Sequence, residues 1–203
     1  MKPWPAVLLM VLLALGPVAA AAQIDSSSAA QVLLQPGAFD ADSAAPARYL
    51  RDRQIDTAAA PETTMIEVGQ AADRLTLFAL EGDQRRQLGT FAPNGATPIL
   101  LFFLEETVRA VAEATGGSPF YIRNRMREAL VRAEAARGEG PFSVRIAPFE
   151  SDTNRARLGA FADLRIEITA EPGHPAHVLA LSADTIEAGG GYHDRLTLIE
   201  ETR

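Results

Sequence analysis

Residues 63–91 read TTMIEVGQAADRLTLFALEGDQRRQLGTF. Ile66 and Val68 alternate with Met65 and Glu67, and Leu75, Leu77 and Ala79 alternate with Thr76, Phe78 and Leu80. A period of two sends successive side chains to opposite faces of a strand. Glu81-Gly82-Asp83 is a turn signal, and Arg86 to Phe91 returns as a third strand. The stretch predicts an antiparallel meander. Its second strand is apolar on both faces, so it is expected to lie centrally, with cover on each side.

Downstream the period changes to that of a helix. Thr97-Pro98 offers a capping hydroxyl before a proline at the first helical position. Leu100, Leu104, Val108, Val111 and Thr115 then recur at helical spacing, and Gly116-Gly117 ends the run. Ser118-Pro119 repeats the start signal, and Ile122, Met126, Ala129, Leu130 and Ala133 share one side of a second helix. So short a link predicts an antiparallel helical hairpin. Strand patterning resumes with Phe142, Val144 and Ile146, then Ala162, Leu164, Ile166 and Ile168, then His177, Leu179, Leu181 and Ala183, and ends with Leu196 and Leu198. The order is three strands, two helices and four strands. The fold class expected is α+β: a curved antiparallel sheet of about seven strands, packed against the helical hairpin.

Residues 1–22 predict a cleaved signal peptide. Lys2 is followed by an apolar run from Ala6 to Val18 and by Ala19-Ala20-Ala21-Ala22. The run is shorter than the roughly 20 residues a spanning helix needs. A mature chain starting near Gln23, exported to a bacterial periplasm, is the expectation. Residues 23–61 are rich in Ala, Ser, Asp and Pro and read as a flexible N-terminal arm, with one short strand near Gln31 to Gln35. Residues 62–203 then form a single α+β domain, and no later apolar run approaches spanning length.

The chain has no cysteine, which excludes a lipid-anchored leader, disulfides and thiolate metal sites. The net charge is −7 for the whole sequence. Past residue 22 it is −8, from 18 Arg against 26 Asp plus Glu. That sign disfavours nucleic acid and anionic lipid surfaces as partners.

Signatures of catalysis are missing. There is no Gly-x-Ser-x-Gly elbow, and Gly189-Gly190-Gly191 lacks the Lys-Ser/Thr of a phosphate loop. Asp152-x-Asn154 opens like a calcium loop, but Arg157 occupies the position that needs glycine. Adjacent acids such as Glu105-Glu106 do not face one another. No cofactor is expected.

Two groups of residues remain. Arg123, Arg127 and Arg132 with Arg125 gather positive charge near a helix N-terminus, where the dipole disfavours it, and Arg155 and Arg157 lie in a polar loop that would join them. Their plain reading is pairing with Glu105, Glu106, Glu113 or Glu128; their functional reading is a dock for an anionic ligand or an acidic protein. His174, His177 and His193, with nearby acids, form the alternative: a metal site, serving a metal-binding protein or a metal-dependent hydrolase. The phenylalanines are plain core by spacing, with a cavity for a hydrophobic ligand as the lesser reading. The sequence thus predicts an exported binding or interaction module for a hydrophobic or anionic ligand or a periplasmic protein partner.

Overall fold

The computed structural model describes residues 26–34, 47–55, 60–71, 74–92, 97–136, 140–171, 177–185 and 191–199. In chain order the elements are β1 (Ser26–Ser28), α1 (Ala29–Leu33), β2 (Ala47–Gln54), β3 (Glu62–Ala71), β4 (Arg74–Glu81), β5 (Gln84–Phe91), α2 (Pro98–Thr115) and α3 (Pro119–Arg132). They continue with β6 (Glu134–Ala136), β7 (Phe142–Ile146), β8 (Arg165–Ala170), β9 (Val178–Asp184) and β10 (His193–Ile199). Among these residues no helix is long and apolar enough to cross a membrane. The expected signal peptide lies outside the described residues.

The main sheet is antiparallel and holds eight described strands in the order β5-β4-β3-β2-β10-β9-β8-β7. It consists of two meanders laid side by side, β2 to β5 and β7 to β10, joined where β2 pairs with β10. The expectation of seven strands is therefore corrected. The eighth is β2, which lies in the stretch expected to be an arm and sits at the middle of the sheet. Its inward positions are Ala47, Tyr49, Arg51 and Arg53, so two of the four carry charge and the apolar alternation is absent.

Residues 26–33 also differ from the expected strand near Gln31. Ser28 accepts from the Gln31 amide while the Gln31 side chain accepts from the Ser28 amide, a capping box that favours helix α1. Ala29 and Leu33 are fully buried, and the Ala29 amide bonds to the Ala133 carbonyl beside the end of α3.

One face of the sheet is apolar and helix-covered. Across it, register aligns Ala79, Ile66, Tyr49 and Leu198, and a parallel row runs through Leu196, Leu181, Ile168 and Val144. Ile66, Tyr49, Leu196, Leu181, Ile168 and Val144 share one buried cluster with Ile99, Leu100, Phe103 and Val108 of α2 and Ile122, Met126 and Leu130 of α3, and Leu198 packs against it. Helix α2 packs over β4 and β9, and α3 packs on α2 and β7. Both helices start on a proline, as expected, but neither the Thr97 nor the Ser118 hydroxyl makes a capping bond. Gly116 closes α2 at φ +65, a left-handed conformation that glycine adopts without a Cβ penalty.

The other face is polar and carries cross-strand pairs. Glu67 accepts from Arg48 Nε at 3.0 Å and from Arg85, and Arg145 pairs with Glu167 at 3.1 Å. Strand β4 is not central, as its two apolar faces suggested; it lies one strand from the edge. Its outer Phe78 is covered by the Arg85 guanidinium, 4.2 Å from the ring centroid, and not by a second layer. The strand expected from Ala162 begins at Arg165, because Gly159–Asp163 form a 3-10 turn.

Tyr49 locks β2 into this core. Its side chain is fully buried, and its hydroxyl donates to the Val178 carbonyl at 2.8 Å. Tyr49→Phe is expected to cost about 1 kcal/mol by loss of that bond. Tyr49→Ala adds a cavity and is expected to cost about 3–5 kcal/mol. Denaturant unfolding measures both, and a Tyr49→Ala protein as stable as the parent would place β2 outside the cooperative fold.

Candidate functional site

The two inward arginines of β2 need a buried partner, and β10 supplies one. Asp194 is fully buried beside Arg51, which donates from Nε to Oδ1 at 2.9 Å and from Nη2 to Oδ2 at 2.6 Å. This two-pronged pairing matches the guanidinium fork to the carboxylate. Tyr192 adds a third bond to Oδ2 at 3.1 Å. Burial works against charge on Arg51, but the carboxylates of Asp194 and Glu106 more than offset it and hold the guanidinium above its ordinary pKa. Burial raises the pKa of the Tyr192 phenol, and the Asp194 charge raises it further, so the phenol stays a neutral donor.

Above this pair lies a cleft of about 310 Å³ between the β2–β5 meander and α2. Arg51, Arg53, Arg86 and Arg109 all reach its lining. Glu106 of α2 is shared among three of them: its Oε2 lies 3.5 Å from Arg51 Nη2 and 3.4 Å from Arg53 Nη1, and its Oε1 accepts from Arg109 at 2.9 Å. Arg86 is held by Glu81 at 2.9 Å. Arg53 Nε lies 3.8 Å from Asp194 Oδ2, beyond hydrogen-bond reach, and has no other partner among the described residues. Phe102 lies beneath the Arg51 guanidinium, 5.3 Å from centroid to Cζ, and Glu62, Thr64, Ile66, Ala79, Gln87 and Leu88 complete the walls. Arg51, Arg53 and Arg109 thus share the carboxylates of Asp194 and Glu106, Arg86 is paired with Glu81, and Glu62 adds a further carboxylate to the lining.

The arginines expected from the sequence lie elsewhere. Arg123 is bound to Glu105 through two bonds of 3.0 and 2.8 Å, the plain reading of that residue. Arg125 turns inward, its Nη1 on Glu128 at 2.7 Å and its Nε 3.0 Å from Asp152. Arg155 braces its own loop through Asp163 and the Ala162 carbonyl. Arg127 and Arg157 have no ion-pair partner among the described residues, and Arg157 borders a second cleft of about 260 Å³ at the turn between α2 and α3. Arg123 is thus taken up by α2, whereas Arg125 reaches, through Asp152, the loop that carries Arg155 and Arg157.

The histidines are also apart. His193 pairs with Asp184 at one end of β9, whereas His177 stands just before the other end. A strand rises about 3.3 Å per residue, so the seven steps between Asp184 and His177 span roughly 20 Å. His174 lies outside the described residues. No three His, Asp or Glu side chains among the described residues gather as metal ligands would.

His177 has a different distinction. It is buried at φ +59, and neither ring nitrogen has a hydrogen-bond partner among the described residues. Burial holds its pKa below the usual histidine value, so the folded protein keeps it neutral. The unfolded chain, by contrast, takes up a proton as pH falls through about 6.5. Stability from this residue is complete above that pH and falls as pH drops from there toward the depressed folded value. His177→Gln is expected to flatten the melting-temperature profile below about pH 6.5; an unchanged slope would exclude His177 as its source.

No protein-family model matches this sequence, and comparison with curated proteins finds no match. The functional reading of the chain therefore rests on its own geometry and charge.

Proposed function

We propose that this protein is a binding module that takes a small anionic ligand in the cleft between the β2–β5 meander and α2. The observation that carries the reading is the convergence of Arg51, Arg53, Arg86 and Arg109 on one concavity. Guanidiniums are the side chains best suited to oxyanions, because their planar donors match carboxylate and phosphate geometry. Arg51 is fixed before any ligand arrives, since Asp194 pins it through two bonds. Fixed donors reduce the ordering cost of binding. The cleft volume is at the lower end of the range for small-molecule sites.

The cleft wall is α2, which we read as the first arm of an antiparallel hairpin with α3. The leader-like residues 1–22 suit an exported, periplasmic setting for such a module, where it would meet small solutes.

Calorimetric titration of the whole chain with inorganic phosphate and with benzoate tests the reading. Saturable binding is expected for at least one of them. Arg53→Ala is expected to weaken it about tenfold or more, the usual cost of losing a charged hydrogen bond. The same loss in Arg127→Ala, on the far side of α3, would move the site away from the cleft. Absence of saturable binding to both anions would refute the reading.

A further inference from the structure

Glu106 stands where a ligand oxyanion would stand. Its carboxylate lies within 3.5 Å of Arg51 Nη2, Arg53 Nη1 and Arg109 Nη1, and all three arginines line the cleft. A carboxylate held by three guanidiniums occupies the strongest anion position the cleft offers. Asp194 is different in kind: it is fully buried beneath Arg51 and belongs to the floor. Glu106 is only partly covered, and it extends from a helix surface that borders the opening.

Resting on the anion-binding reading above, we propose that Glu106 is a selectivity gate, which excludes singly charged anions and admits dianions such as a phosphate monoester. The reason is an exchange. A ligand must displace Glu106 from the arginines before it can bind them. Glu106 is tethered to α2, so its effective concentration at the site is of millimolar order or above. A monocarboxylate offers the arginines the same group that Glu106 already offers, at lower effective concentration, and pays the entropy of association as well. It therefore gains nothing from the exchange. A dianion offers twice the charge and a third oxygen, so it competes for the three guanidiniums that hold Glu106 where a monoanion does not. The site thus favours charge density over shape. Arg86, held by Glu81 across the cleft, is the further cation beside the site, while Ile66 and Leu88 accommodate a short apolar remainder.

The test is titration of the full chain and of Glu106→Gln with inorganic phosphate, mostly dianionic above neutral pH, and with acetate. For the parent, phosphate is expected to saturate, with acetate at least tenfold weaker. Glu106→Gln vacates the position, so acetate is expected to bind at least tenfold more tightly than to the parent, and the gap between the two anions to narrow. Should Glu106→Gln fold poorly, Glu106→Asp keeps the charge but withdraws it by one methylene, and is expected to shift acetate binding in the same direction. Acetate binding no tighter in either variant, with phosphate still bound by the parent, overturns the gate and leaves the anion site standing. Failure of the parent and both variants to bind either anion overturns both.

Discussion

The two-pronged bond between Arg51 and Asp194 is the contact on which the rest of the fold depends. It spans 143 residues and lies in the β2–β10 seam, where the two meanders become one sheet. Every other pairing in the sheet joins strands that follow one another in the chain, and such local hairpins close at little entropic cost. The seam has no such advantage and must be specified by chemistry. A buried ion pair is a weak source of net stability, since desolvation consumes most of its attraction. Its value here is positional. A one-residue slip of β2 would turn Arg51 to the open face and leave the Asp194 charge in the core without its partner. The pair thus selects one register from several that hydrophobic burial would tolerate.

The same contact produces the cleft. Because the inward positions of β2 beyond Tyr49 carry Arg51 and Arg53, the apolar layer between sheet and helices ends there. Tyr49 and Ile66 seal one side, and the space beyond is lined by cations that the core would exclude were they unpaired. Helix α2 responds in kind. Its buried positions run through Phe103, Val108 and Val111, while Glu106 and Arg109, on the flank above the arginines, bring charge to the opening. Local loss of apolar packing and gain of a charged concavity are one event, fixed by two residues of one strand.

The open face of the sheet is stabilised by other means. Glu67 is buried between Arg48 and Arg85, and the Arg85 guanidinium shields Phe78, so long cationic side chains supply the cover that a second layer would give. At the sheet edge, β5 exposes Arg85 and Arg86. Charged side chains there discourage strand addition from another chain, because an added strand would have to bury them.

Most of the elements were legible in the sequence, because their signals are local. The alternation in 63–91, the proline starts and the glycine stop at Gly116 depend only on neighbouring residues, and each element appears close to where its pattern placed it. The pairing of Arg123 with Glu105 was also legible as the plain outcome for that residue. Strand β2 was not. With Arg51 and Arg53 at inward positions it has no apolar alternation, and Asp194 and Glu106 together make burying them tolerable. The cleft was missed for the same reason, since its arginines come from β2, β5 and α2, and no spacing links them. The one available signal was an alternation of Tyr49, Arg51 and Arg53 whose charges needed a distant acid. The sequence by itself determined seven strands of the main sheet, the two long helices and the sign of the net charge, all set by nearest-neighbour sterics and composition. The tertiary structure alone decided which strands meet at the centre and where positive charge concentrates, because a buried charge is permitted only by a partner brought from the far end of the chain.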